Sequence, residues 1–239
     1  MEIRRFIKHR SYFWVRIVVK LHNIYTNLKF KNKSINKVFL SIYKETSWDN
    51  KESNSGQGSS LEETKELRKK LPVVIKQLNI KKILDLPCGD YNWMNNVDLG
   101  VDRYIGGDIV KNIVFNNNKK YASDTVCFKQ LDLTKDPLDA VDLIICRDCL
   151  VHLSYDNINR VFNNLLSSNI MYIATTSYPE EKNNRDIVTG GWRKLNFQIS
   201  PFNLPEPVAI IEEKCSEGAY FSDKILGFWK VSDLKQANL

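Results

Sequence analysis

From Lys82 onward, short apolar runs alternate with stretches whose apolar residues recur at helical spacing. Lys82–Leu86, Arg103–Ile109, Val126–Leu131, Val141–Cys146 and Ile170–Thr176 read as strands, each a short apolar run bounded by polar or turn-forming residues. A short Asn- and Lys-rich helix ending near Tyr121 follows the second run. Ile158, Val161, Phe162, Leu165 and Leu166 trace the apolar stripe of a helix capped by Ser154. Strands alternating with helices at this spacing imply an α/β fold with a parallel, doubly wound sheet. Ala209–Glu212 and Ile225–Val231 add two strands with no helix between them, as in a hairpin-like pair.

Upstream, Leu67, Leu71, Val74, Ile75 and Leu78 share one helical face. Ser60-Leu61-Glu62-Glu63 reads as a capping box opening that helix, and Pro72 as its kink or restart. Nearer the N-terminus, Ile3, Phe6, Ile7, Phe13, Trp14, Ile17, Val18, Leu21, Ile24 and Leu28 fall at helical spacing, with Arg5, His9, Arg16, Lys20 and Asn23 on much of the other side. Such a basic amphipathic helix packs on its own domain, lies on an anionic membrane, or meets a partner such as RNA or protein. The expected division is a basic helical extension over residues 1–42 and a body over 43–239. The polar stretch 43–60 joins them as a linker, or folds Ser55-Gly56-Gln57-Gly58-Ser59 over a bound ligand with its backbone N–H groups inward.

Charge sharpens this division. Residues 1–37 carry ten Lys/Arg against the single acid Glu2, so the formal +7 of the 239-residue chain leaves −2 for everything after them. A near-neutral body argues against its own cleft tracking nucleic acid and points any such contact to residues 1–37. No apolar run approaches a membrane span, and Arg16 and Lys20 interrupt the one candidate signal-peptide core. Five scattered cysteines, an odd number, suit reduced thiols in a cytoplasmic protein, peripheral at a membrane if the arm docks there. Cys146 and Cys149 form a lone C-x-x-C without the second pair a zinc site needs, and no acidic metal-ligand set is evident.

The candidate chemistry gathers at the ends of the strands. Asp85-Leu86-Pro87-Cys88-Gly89-Asp90-Tyr91-Asn92-Trp93 is a strand end, an acid and a tight turn, the usual ligand crevice of an open α/β sheet. Asp108 ends the second strand, where an acid suits the hydroxyl pair of a ribose. A dinucleotide fingerprint would need three glycines in the turn, and only Gly89 is present. The turn instead resembles the D-x-G-x-G-x-G motif of class I S-adenosylmethionine (SAM) dependent methyltransferases. Asp85 and Gly89 match it; Pro87 and Tyr91 stand in place of its first and third glycines. Together with Ser55–Ser59, Cys146-Arg147-Asp148-Cys149-Leu150-Val151-His152-Leu153 and Pro201-Phe202-Asn203-Leu204-Pro205, it resembles one small, poorly characterised group of that class over roughly residues 43 to 234.

That resemblance implies a Rossmann-like, seven-stranded, mostly parallel sheet with helices on both faces, SAM as cofactor and S-adenosylhomocysteine as product. It carries cofactor contacts to Asp85, Pro87, Gly89, Asp90, Trp93, Asp108, Ile109, Asp132, Leu133, Arg147, Ser55 and Gly56. Asp132 reads equally as a turn or cap residue, and the family position assigns it to adenine. The fourth strand of this fold points at the transferring methyl. There Asp148 and His152, four apart on one helical turn, make a carboxylate-oriented imidazole base; alternatively His152 only packs. Arg147 binds an anionic acceptor or pairs with Asp148. The long insertion 178–207, with Arg185, Trp192, Arg193 and Asn196, is expected to shape an acceptor pocket by stacking and hydrogen bonding, or to be a rigid surface loop. The Asp-Pro-Pro-Tyr-type motif of amino-methylating DNA enzymes is absent. The resulting expectation is an O-methyltransferase acting on a sugar or glycan hydroxyl. The alternatives are an RNA or protein methyltransferase recruited through the arm, or a non-catalytic module that docks a membrane or partner.

Overall fold

The computed structural model describes residues 12–45, 52–216 and 218–237; residues 3–11 of the expected N-terminal helix lie outside these. Seven strands form one sheet: β1 (Lys82–Asp85), β2 (Arg103–Asp108), β3 (Val126–Gln130), β4 (Leu143–Cys146), β5 (Tyr172–Ser177), β6 (Ala209–Glu212) and β7 (Ile225–Lys230). Their order is β3-β2-β1-β4-β5-β7-β6, with β1 to β5 parallel and β7 antiparallel to both β5 and β6. The last two strands form the expected pair.

Period-two alternation along the strands feeds two cores, one on each face of the sheet. On one face Leu84, Ile144 and Ile173 pack with Ile158, Val161, Phe162 and Leu165 of α5 (Tyr155–Leu166) and with Phe197 and Phe202 of the insertion. On the other, Ile83, Leu143 and Ile145 meet Leu67, Leu71, Val74 and Ile75 of α3 (Lys65–Gln77), and Val114 of α4 (Lys111–Tyr121). Ser154 caps α5, its Oγ accepting from the Asn157 N–H at 3.4 Å.

Two local expectations change. Ser60 Oγ accepts from the Glu63 N–H at 3.3 Å, but the Glu63 carboxylate turns away to Ser216, whose N–H lies at 2.9 Å. Only half of the capping box forms, and α3 starts at Lys65. Pro72 sits inside α3 without ending it, because Leu71, Val74 and Ile75 on either side are buried in the same core.

The N-terminal helices α1 (Tyr12–Phe30) and α2 (Ile35–Lys44) pack on the body, and residue 42, where the extension was expected to end, falls inside α2. Val15 and Val19 are buried with Tyr178, Trp192 and Phe221. Phe30, Val38 and Ile42 close over the insertion at Val188. Gly190 is the point of closest approach: at φ +98°, its position would carry a Cβ within 2.6 Å of Val38 Cγ1 and 2.9 Å of the Phe30 ring, so no other residue fits there. The insertion itself holds no helix or strand, yet Tyr178, Phe197 and Phe202 are fully buried.

Candidate active site

The carboxyl ends of β1, β2 and β4 and the residues just beyond β3 open into one cavity of about 640 Å³, within the usual range for a small-molecule site. Its floor contains Asp85, Pro87, Gly89, Trp93, Asp108, Ile109, Asp132, Leu133 and Arg147, with Ser55 and Gly56 at its edge. All but one of the residues expected to hold the cofactor therefore share this cavity. The exception is Asp90, which works one step back. Its carboxylate accepts from Ser53 Oγ (3.0 Å), the Asn54 N–H (2.8 Å) and Ser55 Oγ (3.2 Å), and its own N–H donates to Ser55 Oγ at 2.9 Å. Residues 53–59 are thereby pinned along the cavity and are no loose linker.

Backbone geometry sets the acids. Gly89 takes φ +55°, and a Cβ there would lie 2.2 Å from Ser55 Oγ, so a side chain would have to displace Ser55. Tyr91, standing where the family motif has its third glycine, takes φ +59°, the conformation glycine would favour. Asp108 accepts from the Val110 N–H (2.9 Å) and the Gly89 N–H (3.2 Å). Burial raises its carboxyl to about 6 against the pull of those donors, which leaves it ionised at neutral pH. Asp85 accepts from the Tyr104 hydroxyl at 2.6 Å, and burial raises it further, to about 7. Asp132 accepts from the N–H and hydroxyl of Thr134 (3.0 and 2.6 Å), so the turn role read from sequence and its place in the cavity coexist.

The fourth strand's end differs from expectation. Asp148 takes φ +51°, and the helical turn begins only at Leu150, so Asp148 and His152 do not share one. The Asp148 carboxylate receives the Lys224 ammonium at 2.7 Å, with Arg147 Nη1 at 3.6 Å; Lys224 also meets Glu213 at 3.0 Å. Arg147 forks onto Glu213 (3.2 and 2.7 Å), donates to the Gly58 carbonyl (2.8 Å) and lies over the Trp93 ring. This buried set of two cations and two carboxylates joins β4, the 53–59 loop and the segment after β6. It holds the floor together more than it offers a free base.

His152 Nδ1 lies 2.7 Å from the Gly191 carbonyl, which can only accept; Nδ1 therefore carries a proton and Nε2 is the ring's basic atom. The Gly190 N–H in turn donates to the His152 carbonyl at 2.8 Å. A backbone carbonyl thus supplies the orienting contact expected of Asp148. His22 of α1 also hydrogen-bonds the Gly190 backbone, and burial lowers its pKa. Both imidazoles line the cavity, anchored on one Gly-Gly turn.

The roof is the part that sequence reasoning missed. Val18, His22, Tyr25, Lys29, Phe39 and Tyr43 of α1 and α2 line the same cavity as the acids. Of the four insertion residues expected to bind an acceptor, Trp192 alone lines it. Arg185 is exposed and lends its carbonyl to Arg193 Nε at 3.2 Å. Arg193, lowered to about 9 by burial, donates to the Leu150 carbonyl at 2.9 Å. Asn196 donates to the carbonyls of Pro179 and Glu181. These polar groups hold the loop's own backbone, which is what lets so long an irregular segment stay buried. Among the described residues, no group of three His, Cys, Asp or Glu side chains could hold a metal ion.

No family model and no curated protein sequence matches this chain. Solved structures do. Human N-acetylserotonin methyltransferase in complex with SAM aligns over 87% of this chain at 12% identity and a TM-score of 0.58. N-methyltransferase NodS from Bradyrhizobium japonicum, in complex with S-adenosylhomocysteine, aligns over 81% at 14% identity, also with a TM-score of 0.58. The fold is that of the class I methyltransferases. Haemonchus contortus phosphoethanolamine N-methyltransferase 1, in complex with phosphoethanolamine and S-adenosylhomocysteine, shares it over 84% of this chain at 13% identity and a TM-score of 0.54. The chain covers 97% of NodS, but 66% of the N-acetylserotonin enzyme and 52% of the phosphoethanolamine enzyme. On this methyltransferase fold the cavity lies at the carboxyl ends of the parallel strands, where open α/β sheets bind their ligands.

Proposed function

We propose that this chain is a SAM-dependent methyltransferase acting on a hydroxyl of a sugar or glycan acceptor. The observation that carries the cofactor assignment is the convergence of Asp85, Asp108 and Asp132, from three neighbouring strands, on one cavity beside the Gly89 turn. Asp108 keeps lone pairs for a ribose hydroxyl pair. The Ser55–Ser59 backbone and Gly89 suit the amino-acid end, and Asp132 with Leu133 suits the adenine. When bound, SAM supplies a sulfonium methyl already activated for transfer. The protein's task is then to orient the acceptor, exclude water and take up its proton. His152 serves as that proton acceptor at Nε2, with Nδ1–H fixed on the Gly191 carbonyl. The roof of α1 and α2 encloses the acceptor. The sugar assignment is supported by the sequence resemblance, and its polar contacts fall to His22, Lys29, Tyr43 and Glu45 of the roof rather than to the insertion.

Calorimetry with SAM and S-adenosylhomocysteine tests this reading. Wild-type protein binds both saturably, and Asp108→Ala weakens binding about 100-fold, the loss of two hydrogen bonds to a charged acceptor. A folded wild-type protein that binds neither overturns it.

A further inference from the structure

Helix α1 has two apolar faces. One, with Val15 and Val19, is buried against the body. On the other side Leu21, Ile24, Tyr25 and Leu28 are 60, 51, 56 and 84% exposed. Their i, i+3, i+4, i+7 spacing makes them a single stripe. Lone exposed apolar side chains are ordinary, but four in a row on a helix already packed on its opposite side need a second partner. Arg16 and Lys20 flank the stripe, exposed, on its next edge, and Lys31 and Lys33 follow its C-terminal end. From residue 12 to residue 44 the chain has seven Lys/Arg and no Asp or Glu. A protein interface tends to shed lysine, whereas a helix lying in a lipid interface combines Leu and aromatic residues on one face with Lys and Arg beside them. The stripe also reaches the active site, since Leu21 and Tyr25 belong both to it and to the lining of the cavity. No helix among the described residues is long and apolar enough to cross a membrane.

We infer that α1 seats the chain on an anionic lipid surface, with Leu21, Ile24, Tyr25 and Leu28 at the acyl boundary, the basic side chains among the headgroups, and the cavity mouth turned to the bilayer. Resting on the methyltransferase reading, the acceptor is then a membrane-borne amphiphile whose polar headgroup carries the hydroxyl, delivered along the surface instead of from bulk water.

Flotation of the full chain with phosphatidylcholine vesicles, with and without phosphatidylglycerol, tests the docking. Binding is expected to be about tenfold or more tighter on the anionic vesicles and to weaken with added salt. Two double variants, Ile24→Ser with Leu28→Ser and Arg16→Glu with Lys20→Glu, change only exposed residues outside the cavity lining. Each is expected to lower vesicle binding about tenfold while melting temperature and S-adenosylhomocysteine affinity stay unchanged. No flotation, equal binding to neutral vesicles, or binding unmoved by both variants overturns the inference. So does lipid-independent self-association abolished by Ile24→Ser with Leu28→Ser, which would assign the stripe to a second copy. Vesicle binding without nucleoside binding would instead leave the docking standing and remove the methyltransferase reading.

Discussion

The floor of the cavity, rich in acids, and its roof, aromatic and basic, are held by different means. The floor rides on parallel strands. Asp85 and Asp108 occupy the last positions of β1 and β2, and the sheet's own hydrogen-bond ladder fixes their spacing. Neighbouring backbone N–H groups then hold Asp108, and the Arg147–Glu213–Lys224–Asp148 set ties the surrounding loops. The roof has no ladder. It hangs on a cluster of aromatic rings around Trp192, on Gly190, and on the Asn23 amide, which meets the Trp192 carbonyl and N–H at 2.9 Å each. On the proposed methyltransferase reading, a floor built from adjacent strands suits the cofactor, and a roof built from distant packing is free to fit one acceptor.

The strongest way to separate the two regions is to remove the ring on which the roof hangs. Trp192→Ala should cost about 3–5 kcal/mol in denaturant unfolding, and hydrogen exchange should show α1 losing protection while S-adenosylhomocysteine still binds. Loss of nucleoside binding together with α1 would mean that floor and roof are one cooperative unit. Next in size is chemistry without binding. His152→Ala should lower turnover about 100-fold or more and leave S-adenosylhomocysteine affinity nearly intact. If affinity falls instead, His152 belongs to the cofactor side. The gentlest probe is pH. Burial raises Asp85 from 3.8 to about 7 in the folded protein, so its contribution to stability is complete below about 4 and is lost as pH rises through about 7. Ligand-free protein should therefore melt at falling temperature across that window, and Asp85→Asn should flatten the slope; an unchanged slope assigns the dependence to other groups.

Much of the floor was legible in the chain itself. The apolar runs marked all seven strands, and each acid at a strand end could be named because a strand's direction and its terminal turn are local properties. Ser154 as a cap and the Gly89 turn were legible for the same reason. Where local signals were ambiguous, tertiary contacts overrode them. Glu63 was well spaced for a capping box, but Ser216, far along the chain, captured its carboxylate. Asp148 was well spaced to orient His152, but Lys224 lay within reach and the Gly191 carbonyl took the imidazole. Arg193 and Asn196 looked like acceptor-binding groups because sequence reveals a donor without revealing the backbone it must satisfy.

The sequence by itself determined the doubly wound sheet, the strand-end acids and the glycine turn, because periodicity, capping and backbone freedom act over a few residues. It also placed a basic amphipathic helix at the N-terminus. Only the tertiary structure decided that this helix buries one apolar face against the body, lines the cavity, and leaves a second apolar stripe exposed. That outcome depends on partners such as Asn23 and Trp192, 169 residues apart, whose pairing follows from which surfaces can be buried together and not from any local pattern.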